Sequence, residues 1–316
     1  MVNVKIRSLL APILIGLSLT CSAQTFPNKP IRVLVGNGAG GITDVVVRIS
    51  TEEMGRRLGQ PMVVENRPGA SASIAGNAVR TSSPDGYTLY GGSVASFSPA
   101  FLKDASIDAT KALAPVSMLG AGDWFIYVPS NLPINNLKEL VAYGKTNQIR
   151  FSAASVVNTM IFALIGKRMG FTFENIPYKA TDQTITSMLN GDTQVTLNAA
   201  SGFAPFLSGG RLRVISTLSG KRLELMPNAQ SGIEQGLPLE LYSQIGLWGT
   251  LGTPADVIAK LNGAAVEALK TPAVIERFRN VSYNPVSTSP QELIRRVDDE
   301  IKLLIEAAAL IDFKPQ

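Results

Sequence analysis

The chain has 316 residues, 29 lysines and arginines against 24 acids, one cysteine and no histidine. Lacking histidine, it lacks the commonest general base and the commonest ligand of catalytic zinc. A single cysteine excludes an internal disulfide, and no basic block interleaved with aromatics marks a nucleic-acid surface.

The first 23 residues read as a secretory signal peptide. Lys5 and Arg7 form a positive start, Leu9 to Leu19 is apolar, and Cys21-Ser22-Ala23 ends it with small residues. The apolar run is shorter than the roughly 18 residues a membrane span needs. Ser18-Leu19-Thr20 is a poor lipobox, so lipidation at Cys21 is the weaker reading. Cleavage after Ala23 leaves 293 residues with 27 bases, 24 acids and no thiol, which predicts a periplasmic protein.

Strand and helix signals then alternate. Ile31–Val35 predicts a buried strand, Asp44–Leu58 a helix capped by Thr43 or Asp44 and stopped by Gly59. Met62–Val64 is a second strand, Ser71–Thr81 a short helix closed by the turn Ser83-Pro84-Asp85-Gly86, and Tyr87–Tyr90 a third strand. The pattern restarts with strands at Arg150–Ser152, Asn175–Pro177, Gln194–Asn198 and Arg213–Thr217 and helices at Thr159–Met169 and Thr181–Leu189. Helices at about Ala255–Leu269, Ala273–Arg279 and Pro290–Leu310 form the tail. Repeated β-α-β units imply parallel sheets, and two such units imply two α/β lobes. Met118–Ser130 and Leu241–Pro254 are extended and glycine-punctuated, and they bracket the second unit as paired hinge crossings. The expected division is a signal at 1–23, one lobe from 24–122 plus 243–316, and a second from 123–242. Trp124 and Trp248, the chain's two tryptophans, fall in the crossings.

Gly36, Gly38 and Gly41 satisfy G-x-G-x-x-G between the first strand and helix, and Glu65 ends the next strand near the ribose-binding spacing. Such a turn exposes main-chain N–H groups that nothing inside the helix satisfies, and with the helix dipole it binds carboxylate as readily as pyrophosphate. The motif therefore admits a carboxylate cradle, a dinucleotide site or a structural turn. Export argues against the nucleotide.

Asn66–Ala70 (NRPGA), Ser83–Leu89 (SPDGYTL), Leu113–Leu119 (LAPVSML), Pro177–Val195 (PYKATDQTITSMLNGDTQV) and Gly252–Asn262 (GTPADVIAKLN) occur in order along the chain. Together they resemble the Bug, or TctC-like, periplasmic receptors of tripartite tricarboxylate transport systems. The resemblance implies a two-lobed type II periplasmic binding protein fold whose hinge is two crossing strands. It further implies a monomeric solute-binding protein, without cofactor or metal, that closes on a small organic carboxylate: a tricarboxylate, a dicarboxylate, an acidic amino acid or an aromatic acid. Its partners would be membrane subunits of the transporter.

Carried onto this sequence, the resemblance places Gly40, Gly41, Ile42, Thr43 and Asp44 at one carboxylate. The usual PPGG is here Gly38-Ala39-Gly40-Gly41, a departure that loosens the loop. Ser93 or Ser96 would join from the first lobe, with Phe97 as an apolar wall. Ser155, Asn158 and Thr159 would offer uncharged donors from the second, together with the Ala180 and Thr181 amides and Tyr178, with Lys179 beside it solvated. Asn198 stands where many relatives carry Asp; it keeps hydrogen bonding without charge, which implies a ligand lacking an ammonium group and having an apolar or aromatic middle. An exported hydrolase with Ser93 or Ser155 as nucleophile is the competing class. It lacks a supporting S-x-x-K or G-x-S-x-G context. A sensor for a membrane kinase would share the receptor's ligand-driven closure.

Overall fold

The computed structural model describes residues 26–69, 72–95, 109–200, 202–223 and 226–313; the expected signal segment, Ser96 and Phe97 lie outside the described residues. Eleven strands among the described residues form two sheets. The first contains β1 (Ile31–Val35), β2 (Met62–Asn66), β3 (Thr88–Gly92), β4 (Leu113–Asp123), β10 (Tyr242–Thr250) and β11 (Tyr283–Pro285) in the order β11-β4-β10-β3-β1-β2. The second contains β5 (Phe125–Pro129), β6 (Arg150–Ala153), β7 (Glu174–Pro177), β8 (Val195–Asn198) and β9 (Leu212–Thr217) in the order β7-β6-β8-β5-β9. The connecting helices are α1 (Ile42–Leu58), α2 (Ser73–Arg80), α3 (Ala109–Ala112), α4 (Leu137–Gly144), α5 (Val156–Met169), α6 (Thr181–Asn190), α7 (Ala204–Ser208), α8 (Ala255–Ala268), α9 (Pro272–Asn280) and α10 (Pro290–Leu310).

The sheets are mixed rather than parallel. β1 pairs in parallel with β2 and β3, and β6 with β7 and β8, as β-α-β units require. β10, however, runs antiparallel to β3 and β4, and β5 antiparallel to β8 and β9. The reason is connectivity. A strand that enters a sheet from the neighbouring lobe arrives at the edge where the resident strands end, so it must run against them.

Each lobe has its own core. In the first, Val33 and Val35 of β1 pack with Val46, Val47 and Met54 of α1 and Leu261 and Ala265 of α8. Gly59 ends α1 at φ 73°, a left-handed stop that glycine adopts without steric cost. In the second, Phe151 of β6 stacks on Phe162 of α5 with ring centroids 4.1 Å apart. α5 is buried along most of its length because it lies between the second sheet and α10.

α10 belongs to both cores. Ser289 caps it by accepting from the Glu292 amide. Its Leu293 and Val297 pack with Tyr90 and Trp248 of the first lobe, whereas Leu304, Ala307 and Ala308 join the second lobe's cluster. Lys167 and Arg168 of α5 both pair with Glu306 and fasten that end. Among the described residues no helix is long and apolar enough to cross a membrane.

Candidate functional site

Strand direction decides where a site can be. The ends of β1 and β2 coincide, Val35 against Asn66, and β3 lies in register beside β1, so the loops after all three open on one edge of the first sheet. β4 ends at Asp123 on that same edge, since both it and β3 oppose β10. Two residues later Phe125 opens β5 opposite Asn198, the last residue of β8. The chain thus steps through Trp124 from the carboxyl edge of one sheet to the carboxyl edge of the other. The return is tied to it: the Leu218 amide donates to the Trp124 carbonyl and the Leu241 amide to the Leu218 carbonyl, each at 2.9 Å. The two carboxyl edges therefore meet at the hinge, and ligands of open α/β sheets bind outside such edges.

Trp124 lies in the crossing and is partly buried. Trp248 does not: it is 1% exposed inside β10, paired in register with Tyr90 and Pro115, because the extended segment continues well into the first sheet. Beside the crossing, Asp123 accepts hydrogen bonds from Ser219 Oγ (3.0 Å) and Asn284 Nδ2 (3.1 Å). Burial pushes its carboxyl up against those two bonds.

On the first lobe, α1 begins earlier than the sequence suggests. Gly41 is the N-cap in extended conformation with no side-chain cap, so the Ile42, Thr43 and Asp44 amides precede the first intrahelical bond, Val45 N to Gly41 O at 3.0 Å. Asp44 is a helical residue whose carboxylate turns inward rather than toward a ligand. It is 2% exposed and accepts from the Gly40 amide (2.9 Å), Arg48 Nε (2.9 Å) and Asn66 Nδ2 (2.8 Å). Burial pushes the carboxyl up, but the bonds from Arg48, Gly40 and Asn66 outweigh it and hold the pKa below the ordinary range. Arg48 Nη2 also donates to Asn66 Oδ1 (2.8 Å), and Asn66 Nδ2 to the Asn37 carbonyl (3.0 Å). Asp44, Arg48 and Asn66 together clamp the glycine loop at Asn37 and at Gly40, and Arg48 neutralises the acid beside it. Gly40 itself has φ 78°. Gly36 lies against Ala72, whose Cβ leaves no room for another.

Glu65, the acid at ribose-binding spacing, is committed elsewhere. It pairs with Arg32 (2.8 Å) and Arg67 (2.7 Å), and the bonds from Arg32 and Arg67 lower its pKa. Ser93 follows β3 on the same edge, and its carbonyl accepts from the Tyr90 hydroxyl at 3.2 Å.

On the second lobe, α5 starts at Val156, three residues before the expected Thr159, because Ser155 serves as N-cap and accepts from the Asn158 amide. The side chains expected as donors there are already used. Ser155 Oγ donates to Asn158 Oδ1 (2.5 Å), Asn158 Nδ2 to the Leu197 carbonyl (2.6 Å) and to Asn198 Oδ1 (3.2 Å), and Thr159 Oγ1 to Asn175 Oδ1 (3.0 Å). What this helix start can still offer is main-chain N–H, at Val156 and Val157. α6 starts at Thr181 with Ala180 as an extended N-cap and no side-chain cap. Tyr178 points its hydroxyl to Ser187 Oγ (2.7 Å) on α6 and so braces that helix. Asn198 is 6% exposed and donates from Nδ2 to Thr196 Oγ1 (3.0 Å).

Three helices of ten or more residues thus begin at the two facing edges with main-chain donors left over. Ser155, the candidate nucleophile, is bonded to an amide that cannot take its proton. Arg48 and Asn66 were missed in the sequence, although Asn66 opens the NRPGA motif at the end of β2, directly beside the loop.

The family model for the tripartite tricarboxylate transporter family receptor, TctC, matches residues 46–310. The chain belongs to that receptor family. A UPF0065 protein of Bordetella bronchiseptica is 33% identical over 309 residues, 95% of this chain and 92% of its own length. The structure of the periplasmic binding protein BugD superposes on this receptor with a TM-score of 0.73 at 25% identity, over 92% of this chain and all of that one. MatC of Rhodopseudomonas palustris with bound malate gives a TM-score of 0.72 at 24% identity, over 90% of this chain and 100% of that one. These are two-lobed periplasmic binding proteins, and the receptor shares their fold.

Proposed function

We propose that the receptor is a non-enzymatic, monomeric carrier of a small organic carboxylate in the periplasm, reached by export and removal of residues 1–23. The ligand class is a di- or tricarboxylate or an aromatic acid, bound between the lobes without cofactor or metal and released unchanged to tripartite tricarboxylate transporter membrane subunits. The observation that carries this reading is the set of free amides at Ile42 to Asp44, Val156 and Val157, and Thr181, on two carboxyl edges that meet at Trp124. Amides at helix starts favour an anion, and the Asp44 charge that would oppose it is compensated by Arg48. Gly40 and Gly41 form the loop around one carboxylate, with Ser93 after β3 beside it. Ser155, Asn158, Thr159, Tyr178, Ala180 and Asn198 build the facing wall. The malate held by MatC is an acid of the same class.

A thermal-shift screen of the purified protein against carboxylic acids tests this, backed by mass spectrometry of any co-purified acid. An acid at about 100 times its Kd adds roughly 2.7 kcal/mol of stability and should be recovered intact. If no acid raises the melting temperature, or if the acid that does is turned over, the proposal fails.

A further inference from the structure

Four polar side chains at the start of α5 and the end of β8, Ser155, Asn158, Asn198 and Thr196, form a hydrogen-bonded chain whose direction is fixed from both ends. At one end, Asn158 lies 2.6 Å from the Leu197 carbonyl. A carbonyl only accepts, so the group facing it is the Asn158 NH2. The second N–H of that group meets the Asn198 side chain at 3.2 Å, and the atom receiving it must be Oδ1. At the other end, Thr196 Oγ1 donates its one hydrogen to the Ser152 carbonyl at 2.6 Å. It can then only accept from Asn198, at 3.0 Å, which again makes that side of Asn198 the NH2. Ser155 donates to Asn158 Oδ1 and completes the run.

Counting donors decides what Asn198 has left. Asn158 Nδ2 uses both hydrogens. Asn198 Nδ2 uses one and retains one, with no acceptor for it among the described residues. Reversing the Asn198 amide would set two N–H groups against each other at Asn158 and an oxygen against the Thr196 oxygen. The reversed state is excluded by the neighbours, not by Asn198 itself.

We infer that Asn158 is a positioning residue that holds the Asn198 amide donor-outward, so that the β8 end of the cleft selects acids carrying a second oxygen acceptor over acids carrying an ammonium there. The inference rests on the carboxylate-receptor reading above. Asn198 is one residue-pair from the hinge crossing, opposite Phe125 on the carboxyl edge, where a ligand gripped at its other end by the glycine loop would arrive. An oxygen acceptor completes the amide. An ammonium brings three more donors to a place that presents one already.

The test is calorimetric titration of the purified protein with matched probes: C4 to C6 diacids, the monoacids of equal length, and the 2-amino diacids. In the wild type, diacids bind best. Asn198→Ala should lower the diacid-to-monoacid affinity ratio at least about tenfold, the worth of one hydrogen bond to a charged acceptor. Asn158→Asp replaces the NH2 that fixes the neighbour by a second acceptor, so the Asn198 amide turns to donate to it and shows its oxygen outward. The ratio of amino-diacid to diacid affinity should then rise by about fivefold or more. Both readouts are ratios within one folded variant, and if Asn158→Asp does not fold, Asn158→Ala, which removes the NH2 that fixes the Asn198 amide, should likewise raise the amino-diacid to diacid ratio. An unchanged diacid-to-monoacid ratio in Asn198→Ala, or no gain for amino diacids in a folded Asn158→Asp, overturns the inference while the receptor reading stands. A wild type that binds acids without diacid preference does the same. A wild type that binds no acid sinks both.

Discussion

Replacing Asp44 by alanine tests whether the glycine loop is a preformed cradle. Asp44 accepts bonds from the Gly40 amide, Arg48 and Asn66, at 2.8 to 3.0 Å, with its side chain 3% exposed. Bonds to a charged group contribute about 1.5–3 kcal/mol each before coupling. They are not additive here: Arg48 is 46% exposed, so its guanidinium turns to water when the partner goes, and the exposed Gly40 amide is rehydrated. That places the cost near one such bond, about 2–3 kcal/mol, which lowers Tm by roughly 3–5 °C in a chain of this size. The pH dependence adds a signature. The folded pKa of Asp44 is depressed, so its contribution is complete above the unfolded carboxyl value of about 3.9 and is lost as pH falls through the lower folded value. Wild-type and variant Tm should differ at neutral pH and converge in acid. Carboxylate affinity should fall as well, since Asn37 and Gly40 lose their common anchor. A variant that melts within a degree of wild type at neutral pH and binds its acid equally well would refute the clamp.

Gly36→Ala should lower stability by about 1–3 kcal/mol, because the new Cβ would fall 2.2 Å from Ala72 Cβ and 2.7 Å from Ala72 Cα; an unchanged denaturation midpoint would show that the two loops part freely. Ligand-induced tryptophan fluorescence should survive in Trp248→Phe and vanish in Trp124→Phe, since only Trp124 lies in the crossing. The opposite result would put the moving joint elsewhere. Glu300 on α10 accepts from Gln244 Nε2 at 3.1 Å, and burial pushes its carboxyl up to about 8 from an ordinary 4.5. A raised carboxyl pKa means the neutral form folds better, so stability should decline from about pH 4.5 to about pH 8. Glu300→Gln should remove that decline, gaining on wild type across the same window in thermal melts and staying level above it; parallel curves would refute the burial of this acid.

The alternation of strands and helices was legible because the β-α-β units carry their own stops: Gly59 after α1 and Asn190-Gly191 after α6. The direction of β5 and β10 was not, because it follows from the route between lobes and leaves no local pattern. The start of α5 falls three residues before the expected Thr159 because the Ser155 cap, and not the apolar spacing, sets it. The loop and helix starts were legible as anion sites through glycine and apolar spacing. The fate of Asp44 and Asn158 was not: whether a polar side chain faces a ligand or a neighbour depends on partners 22 to 40 residues away in Asn66, Leu197 and Asn198.

The way each half of the site is held bears on how the receptor can close. The Asp44, Arg48 and Asn66 bonds lie wholly within the first lobe, and the Ser155 to Ser152 chain wholly within the second. A rotation at Trp124 and Leu218 would break none of them, and under the proposed function each set of amides would reach the ligand already oriented, sparing the ordering entropy of building a site on binding. The constraint falls on α10 instead. Leu293 and Val297 hold its start to the first lobe, while Leu304 and Glu306 hold its end to the second. A rotation of one lobe against the other must be taken up between Val297 and Leu304. That stretch contains Glu300, which the Gln244 amide ties to the first lobe, so the polar contact there is the one that closure has to remake.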